Sequence, residues 1–187
     1  MNHSESRFSG DRTAAGQRRK TEWKARELVL VAIDLAGYRR AFQVKDDEGV
    51  AAFLDDYYAV CVERCGAAGG SVVKFMGDGC LLVFSADLAR QAVAVVVALA
   101  SEVSEIAARH GLALGFCANL HLGRVLEREL EWNGRVDIVG RAVNQTFLMG
   151  RGEGIRLSEP VYRKLESGVR SPWRRHKPPA LYELQRS

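Results

Sequence analysis

Two aspartates stand where their surroundings could support chemistry. Asp34 ends the apolar run ELVLVAID, and Asp78 stands between two glycines in VVKFMGDGCLLVF. Asp-Gly is a strong signal for a tight hairpin turn, because both residues tolerate the sharp backbone and the Asp side chain can bond to it. The turn alone therefore explains Asp78, unless the fold brings another polar group to it.

The hydrophobic pattern predicts the elements that position these residues. ELVLVAID predicts a strand over residues 27–34, and residues 72–84 predict a hairpin with its turn at residues 77–79. Apolar residues at helical spacing predict a helix over residues 46–66, and a long helix follows from Asp87 to His110, with Gly111 after its last turn. Further strands are predicted in LALGFCANLHLGRVL, RVDIVG, IRLS and ALYEL, and further helices in RAVNQTFLMG and EPVYRKL.

This order, β-α-β-β-α-β, predicts an α+β fold: a ferredoxin-like sandwich with a small C-terminal extension. In that topology the first strand and the hairpin are neighbours in the sheet, so we expect Asp34 to approach Asp78. Two adjacent carboxylates repel unless a proton or a cation lies between them. A site with few oxygen ligands and open positions suits Mg²⁺ when phosphates complete its shell.

Length and composition limit the class of protein. The chain has 187 residues, 47% of them hydrophobic, which is enough for one sizeable core. We expect residues 1–26 to form a polar, basic arm and residues 27–187 to form one domain. The longest apolar run, AVAVVVALA, is too short to cross a bilayer, and the N-terminal residues lack the apolar stretch of a secretory signal. These features predict a cytoplasmic protein without a membrane span.

The net charge of +4 is concentrated towards the two ends, in QRRKTEWKAR and RSPWRRHK. Such runs are usually solvated tails, so the charge does not favour nucleic acid as a partner. The cysteines have neither C-x-x-C nor zinc-site spacing, and we expect them to be buried as small hydrophobes in a reducing compartment. They are Cys61, Cys65, Cys80 and Cys117.

Four short motifs resemble those of the class III nucleotide cyclases, the adenylate/guanylate cyclase family. DLAGY at residues 34–38 resembles the family's Asp-Ile-x-Gly-Phe, and KFMGD at 74–78 resembles Lys-x-x-Gly-Asp. HLGRV at 121–125 resembles His-x-Gly-x-Val, and DIVGRAVN at 137–144 resembles Asp-x-x-Gly-x-x-Val-Asn. Each motif alone is weak. All four occur in family order on the expected elements, and the likeness covers residues 28–166.

The resemblance implies a two-metal site for Mg²⁺ or Mn²⁺. Asp34 and Asp78 are the implied metal ligands, together with the backbone carbonyl of Leu35. One ion would lower the pKa of the ribose 3′-hydroxyl, and the other would neutralise the triphosphate and the pyrophosphate leaving group. Backbone amides near Gly37 are implied to help cradle the phosphates. Asn144 is implied to orient the ribose; its alternative is a surface or capping role.

The resemblance also implies that Lys74 and Asp137 bind the purine. Lys donates to the N1 acceptor of adenine, and Asp accepts from its exocyclic amine, whereas guanine presents the reversed pattern. Buried polar groups left unpaired discriminate strongly, so the combination favours ATP over GTP. The alternative for Lys74 is a solvated side chain at a sheet edge. Strand alternation predicts that it points away from the face of Val73 and Phe75.

The sequence departs from the family at the transition-state arginine, expected four residues after Asn144. That position is Leu148. Leucine cannot donate hydrogen bonds, and by analogy with arginine fingers its presence costs about 10³-fold in rate or more. Arg141 and Arg151 lie nearby in sequence but on other faces of the predicted helix.

The sequence also differs from the family at two positions before the His motif, and one C-terminal family position has several possible counterparts. Cys117 and Asn119 replace the family's Arg and Gly before the His motif. The family's C-terminal phosphate-binding Lys corresponds to Lys177, with Arg174 and Arg175 as alternatives. The resemblance does not decide among these three.

Two main functions therefore stay open, and a scaffold whose basic ends recruit nucleic acid or membrane is a third that the nearly neutral centre disfavours. The first is a homodimeric adenylate cyclase in cyclic-nucleotide signalling, which converts ATP to 3′,5′-cyclic AMP and pyrophosphate. A homodimer is implied because in the family one subunit supplies the metal aspartates and the other supplies the purine and ribose residues. The second is a cyclase-like regulatory module that binds a nucleotide without turnover, which Leu148 favours.

Overall fold

The computed structural model describes residues 22–130, 133–176 and 181–185. In these residues the strands are β1 (Lys24–Ala36), β2 (Ser71–Met76), β3 (Gly79–Ser85), β4 (Gly115–Glu129), β5 (Val136–Val139), β6 (Gly154–Ser158), β7 (Trp173–His176) and β8 (Leu181–Leu184). The helices are α1 (Tyr38–Val44), α2 (Asp47–Ala67), α3 (Ala89–Arg109), α4 (Arg141–Leu148) and α5 (Glu159–Lys164). Short 3₁₀ turns lie at Ala86–Leu88 and Ser167–Val169.

The strands form one mixed sheet in the order β2-β3-β1-β4-β6-β8-β7, and β5 pairs with β4. β1 pairs antiparallel with both β3 and β4, whereas β4 and β6 are parallel. The order β2-β3-β1-β4 is that of a ferredoxin-like βαββαβ sandwich, so the predicted α+β class is confirmed. The C-terminal extension continues the same sheet through β6, β8 and β7.

The two faces of the sheet are covered unequally. Val29, Val31 and Ile33 of β1 point into the larger core beneath α2 and α3. Leu28 and Leu30, which alternate with them, point to the other face and join a smaller cluster with residues of β4, β5 and α4. Strand alternation puts Asp34 on this second, less covered face.

The helix α3 is the apolar element noted in the sequence. Among the described residues, one helical segment, residues 86–109, is long and apolar enough to cross a membrane by length and composition alone. However, Val96, Leu99 and Val103 are buried in the larger core, which is the packing of a core helix. Gly111 follows its end with a φ of 66°, as predicted for the residue after the last turn.

Several boundaries differ from the prediction. β1 begins at Lys24, inside the predicted arm, and ends at Ala36, because β4 pairs with it along its whole length. Asp34 therefore lies within the strand and not at its end. The helix α1 and the strand β7 were not predicted. Residues 1–21 of the predicted arm lie outside the described residues.

Candidate active site

Asp34 and Asp78 come together at one end of the sheet. β1 pairs antiparallel with β3, with Ile33 opposite Cys80, so Asp34 lies beside the turn that precedes β3. The two carboxyl groups are close enough to interact electrostatically. Asp34 is exposed and Asp78 is half-buried, so the pair is open to solvent. Asp34 therefore approaches Asp78, as expected from the predicted topology.

The environment of Asp78 raises its pKa above the ordinary value. Partial burial is the larger cause, and the negative charge of Asp34 is the next. The nearby backbone amides of Asp78 and Leu35 favour the charged carboxylate and oppose the rise. The charged form is thus disfavoured while no cation offsets the repulsion.

The hairpin turn owes its conformation to Gly77. Gly77 has a φ of 66°, while no described residue other than glycine has a positive φ. Gly77 and Asp78 are the two turn residues between Met76 and Gly79, which pair across the hairpin. A glycine with positive φ at the first of two turn positions is the pattern of type II′ turns. The predicted tight turn is present, and the left-handed residue is the glycine, not Asp78.

The strand β1 ends two residues after Asp34, at Ala36. The side chain of Leu35 is buried in the core, and its backbone amide reaches the Asp78 carboxylate. Gly37 has a φ of 90°, where a side chain would strain the backbone, and its carbonyl accepts a hydrogen bond from the amide of Arg40 at 2.9 Å. The metal role of the Leu35 carbonyl and the phosphate role of the amides near Gly37 stay predictions.

The donor set fits a hard divalent cation. Among residues 22–130, 133–176 and 181–185, no group of three or more His, Cys, Asp and Glu side chains could hold a metal. Asp34 and Asp78 provide two neighbouring carboxylates that are open to solvent. Mg²⁺ in phosphate-handling sites is bound in this way, by one or two carboxylates together with substrate phosphates and water.

Lys74 and Asp137 form a second pair. The Lys74 Nζ lies 3.1 Å from the Asp137 Oδ1, and both side chains are partly exposed. A bulge between Val72 and Lys74 shifts the register of β2, so Lys74 pairs with Leu81. Val73 therefore packs on the same face as Lys74, in the smaller cluster, while Phe75 packs in the larger core. The predicted alternation is wrong for Val73 and holds for Phe75.

Asn144 and Leu148 lie on the exposed side of α4. Ala142 and Thr146 form the buried side of this helix, and the Thr146 hydroxyl donates to the Ala142 carbonyl at 2.8 Å. Asn144 is exposed, and Leu148 is 78% exposed. In one chain these residues face solvent, where a second molecule can reach them.

A cleft of about 560 Å³ lies beside α4, on the same face of the sheet as Asp34. His121 of β4 is in its lining and is hydrogen-bonded to Gln145 of α4. Burial lowers the pKa of His121, and the bond to Gln145 opposes this. The cleft is also lined by Gly123, Arg124, Val125, Leu126, Val139, Gly140, Arg141 and Ala142.

Arg156 of β6 is a site neighbour that the sequence reasoning missed. Its Nη1 donates to the Cys117 Sγ at 3.6 Å, and Cys117 lies opposite Asp34 in the pairing of β1 with β4. Its Nη2 lies 3.1 Å from Glu183, and the side chain is only 13% exposed. A guanidinium thus lies beside the cysteine that stands where the family has an arginine. The sequence feature that could have indicated Arg156 is its position between Ile155 and Leu157 in an apolar strand.

The predicted C-terminal phosphate ligands are not brought to the aspartates within one chain. Arg174 and Arg175 lie on β7, at the edge of the sheet, with β4, β6 and β8 between β7 and β1. Lys177 lies outside the described residues. A role for any of the three would thus require a second chain, or for Lys177 a position that the structure does not describe.

Solved structures match this chain over most of its length. The guanylyl cyclase Cya2 gives a TM-score of 0.76 at 22% identity, covering 87% of this chain and 93% of that chain. The adenylyl cyclase CyaB from P. aeruginosa gives 0.74 at 16% identity, covering 89% and 97%. A dimeric guanylyl cyclase domain of the RhoGC fusion protein from the aquatic fungus Blastocladiella emersonii gives 0.74 at 19% identity, covering 86% and 97%.

The chain therefore has the fold of the class III adenylyl and guanylyl cyclase catalytic domains. The fold implied by the four motifs is confirmed. No protein-family model and no curated protein matches the sequence. Adenylyl and guanylyl cyclases both occur among the matches at similar TM-scores, so the fold alone does not distinguish ATP from GTP.

Proposed function

We propose that this chain is a class III adenylate cyclase, which converts ATP to 3′,5′-cyclic AMP and pyrophosphate. The observation that carries the proposal is the pairing of β1 with β3, which brings Asp34 beside the turn of Asp78 so that the two carboxyl groups interact. These residues are far apart in the sequence, and without a cation partial burial and the charge of Asp34 together raise the pKa of Asp78. Such a pair serves to hold a shared cation beside a polyphosphate.

The reaction needs an attacking ribose oxygen and a stabilised leaving group. The 3′-hydroxyl loses its proton, its oxygen bonds to the α-phosphorus, and the bond from that phosphorus to the β-phosphate oxygen breaks. Two divalent ions, Mg²⁺ or Mn²⁺, would lower the pKa of the 3′-hydroxyl and neutralise the charge of the pyrophosphate leaving group. Asp34 and Asp78 would hold them, with the Leu35 carbonyl. The backbone amides near Gly37 would bind phosphate oxygens, and Asn144 would orient the ribose.

The Lys74–Asp137 pair supports ATP as the substrate. The ammonium and the carboxylate lie 3.1 Å apart, as one donor beside one acceptor. Adenine presents the complementary order, an acceptor at N1 and a donor at its exocyclic amine. Guanine would present a donor to Lys74 and an acceptor to Asp137, so neither protein group would gain a hydrogen bond from it.

A homodimer with two equivalent sites fits the exposed side of α4. Asn144 faces solvent there, next to exposed apolar side chains, Phe147 and Leu148. A partner subunit would cover these apolar groups and would bring its Asp34–Asp78 pair to Asn144. The exposed Val139 on the neighbouring β5 adds to the same apolar surface.

The alternative is a nucleotide-binding module without turnover. Leu148 favours this alternative, because it occupies the position of the family's transition-state arginine and cannot donate a hydrogen bond. Its side chain is 78% exposed. Such a module would keep the contacts of Asp34, Asp78, Lys74 and Asp137, and would bind ATP with metal. It would lack only the charge stabilisation in the transition state.

The test is cyclic AMP formation by the purified full chain with ATP and Mn²⁺. We expect product from the wild type and a loss of about 10²-fold or more in Asp78→Ala, because a group that stabilises developing charge is removed. Asp87→Ala is the matched control, since Asp87 is exposed and lies before α3. ATP binding without product at high protein concentration would establish the alternative. Product formed equally by Asp78→Ala would refute the metal role.

A further inference from the structure

One aromatic side chain outside the proposed ligand set contacts the hairpin that carries Asp78. The hydroxyl of Tyr58, on α2, donates a hydrogen bond of 2.7 Å to the carbonyl of Gly77. This is the most common distance for a hydroxyl bonded to an oxygen, so the contact is a well-formed hydrogen bond. Tyr58 thus joins the helix to the turn itself.

The ring of Tyr58 is fixed by its neighbours. It stacks on Phe75 of β2 with ring centroids 3.9 Å apart and planes 23° apart. The preceding residue, Tyr57, is fully buried and anchors this part of α2 in the larger core. An aromatic pair of this kind contributes beyond its buried area. The hydroxyl is therefore presented to the turn by a rigid support.

The Gly77 carbonyl and the Asp78 amide belong to one planar peptide group. Tyr58 bonds the carbonyl end, and the Cα atom that bears the Asp78 side chain directly follows the amide end. The orientation of this peptide group therefore links the Tyr58 hydroxyl to the direction of the carboxylate. A rotation of the peptide would break the hydrogen bond to Tyr58 and turn the carboxylate.

The hairpin needs such a restraint. Among the described strands, β2 lies at the edge of the sheet and pairs with β3 alone. Gly77 has a φ of 66°, and glycine has more backbone freedom than any other residue. The repulsion between Asp34 and Asp78 also favours a turn that moves the carboxylates apart while no cation is bound.

We propose that Tyr58 is a positioning residue of the metal site, whose hydroxyl orients the Gly77–Asp78 peptide so that the Asp78 carboxylate faces Asp34. This inference rests on the proposed function for its metal. It concerns the geometry of the hairpin and requires no turnover. Tyr58 binds no substrate and no metal itself.

The test compares Tyr58→Phe with the wild type in the full chain. The variant keeps the stack on Phe75 and removes only the hydroxyl. Tyr182→Phe is the matched control, because Tyr182 stacks on Tyr162 at 3.6 Å and lies on β8, away from the hairpin. Two measurements are made: amide hydrogen exchange of residues 75–80 without metal, and Mn²⁺ affinity by titration.

In Tyr58→Phe we expect exchange at the hairpin to rise about fivefold and Mn²⁺ affinity to fall about fivefold, the effect of one ordinary hydrogen bond. Exchange in α3 should not change, and Tyr182→Phe should match the wild type in both measurements. Unchanged hairpin exchange overturns the proposal, as does faster exchange with unchanged Mn²⁺ affinity. A wild type that binds no Mn²⁺ overturns it together with the metal site.

Cyclic AMP formation separates this inference from the proposed function. If the wild type binds Mn²⁺ and Tyr58→Phe weakens that binding, the positioning role stands even when neither protein forms product. In that case only the cyclase activity fails. If product forms at equal Mn²⁺ affinity in both proteins, the cyclase stands and the role of Tyr58 fails.

Discussion

The proposed site has a hairpin side, formed by Asp34, Asp78 and the turn at Gly77, and an α4 side, formed by Asn144 and Leu148. The structure holds the functional side chains of the hairpin side more firmly than those of the α4 side. On the hairpin side, Asp78 accepts a backbone hydrogen bond from Leu35, and its turn is bonded to Tyr58. On the α4 side, the helix begins at Gly140 without a side-chain cap, and Leu148 is almost fully solvated. The carboxylates proposed to bind metal thus lie together, while leucine stands at the position of the family's transition-state arginine. Under the proposed function, binding and turnover are therefore separable.

The largest expected effect comes from restoring the charge on the α4 side. We expect Leu148→Arg to raise the rate of cyclic AMP formation by about 10³-fold, as arginine fingers do in other phosphoryl transfers. The side chain is exposed, so the substitution requires no repacking. The measurement is kcat with ATP and Mn²⁺ at saturation.

Phe147→Arg is the matched control for this gain. It adds the same charge to α4 one residue earlier, about 100° around the helix. An equal gain in Phe147→Arg would mean that general positive charge, and not the position of Leu148, limits the rate. If neither variant gains activity, restoring one arginine is not sufficient, and the α4 side lacks a further group that turnover requires.

A smaller effect is expected at the purine pair. Lys74→Met keeps the length of the side chain but leaves Asp137 without its ion-pair partner. We expect the ratio of ATP to GTP affinity to fall by about 10- to 100-fold, because one discriminating polar contact is lost. Competition between the two nucleotides for binding measures this, and it does not require turnover.

Lys164→Met is the control for the purine pair, since Lys164 is exposed on α5 and belongs to no proposed contact. If Lys74→Met leaves the ratio unchanged, Lys74 is a solvated edge residue and the purine assignment is wrong. If the ratio changes and Leu148→Arg still gives no product, the nucleotide-binding alternative is favoured.

The convergence of Asp34 and Asp78 was accessible from the sequence because each element around it is local and strongly patterned. An apolar strand, a Gly-Asp-Gly turn and a second apolar strand are short-range signals. The βαββαβ order then makes β1 and β3 neighbours, which fixes the approach of the two carboxyl groups. The metal role of the pair stays a prediction.

The features that were missed depend on distant pairing or on small irregularities. Arg156 reaches Cys117 only because β6 pairs in parallel with β4. The bulge at Val73 reverses the expected face of one residue, and strand alternation carries no signal for it. The hydrogen bond from Tyr58 to the turn requires the packing of α2 on β2. None of these relations is visible in local hydrophobic periodicity.

The smallest expected effect is the pH dependence of thermal stability that arises from Asp78, and it tests the hairpin side. The folded-state pKa of Asp78 is raised by burial and by Asp34. Its contribution to stability is therefore fully present below the unfolded pKa of about 4 and is lost as the pH rises through the raised folded value. We expect metal-free Asp78→Asn to melt about 2 °C or less above the wild type at pH 7, since the site is partly solvated.

This difference should vanish below about pH 4, where the Asp78 carboxyl of the wild type is protonated in both states. Mn²⁺ should reverse it at pH 7, because a ligand at 100 times its Kd stabilises the folded wild type by about 2.7 kcal/mol and Asp78→Asn lacks that ligand site. Thermal unfolding with and without Mn²⁺ measures both effects. A wild type that is more stable than Asp78→Asn without metal at pH 7 would mean that hydrogen bonds from the Leu35 and Asp78 amides outweigh the repulsion from Asp34. The hairpin side would then be held together without a cation, and the comparison with the α4 side would no longer indicate a metal site.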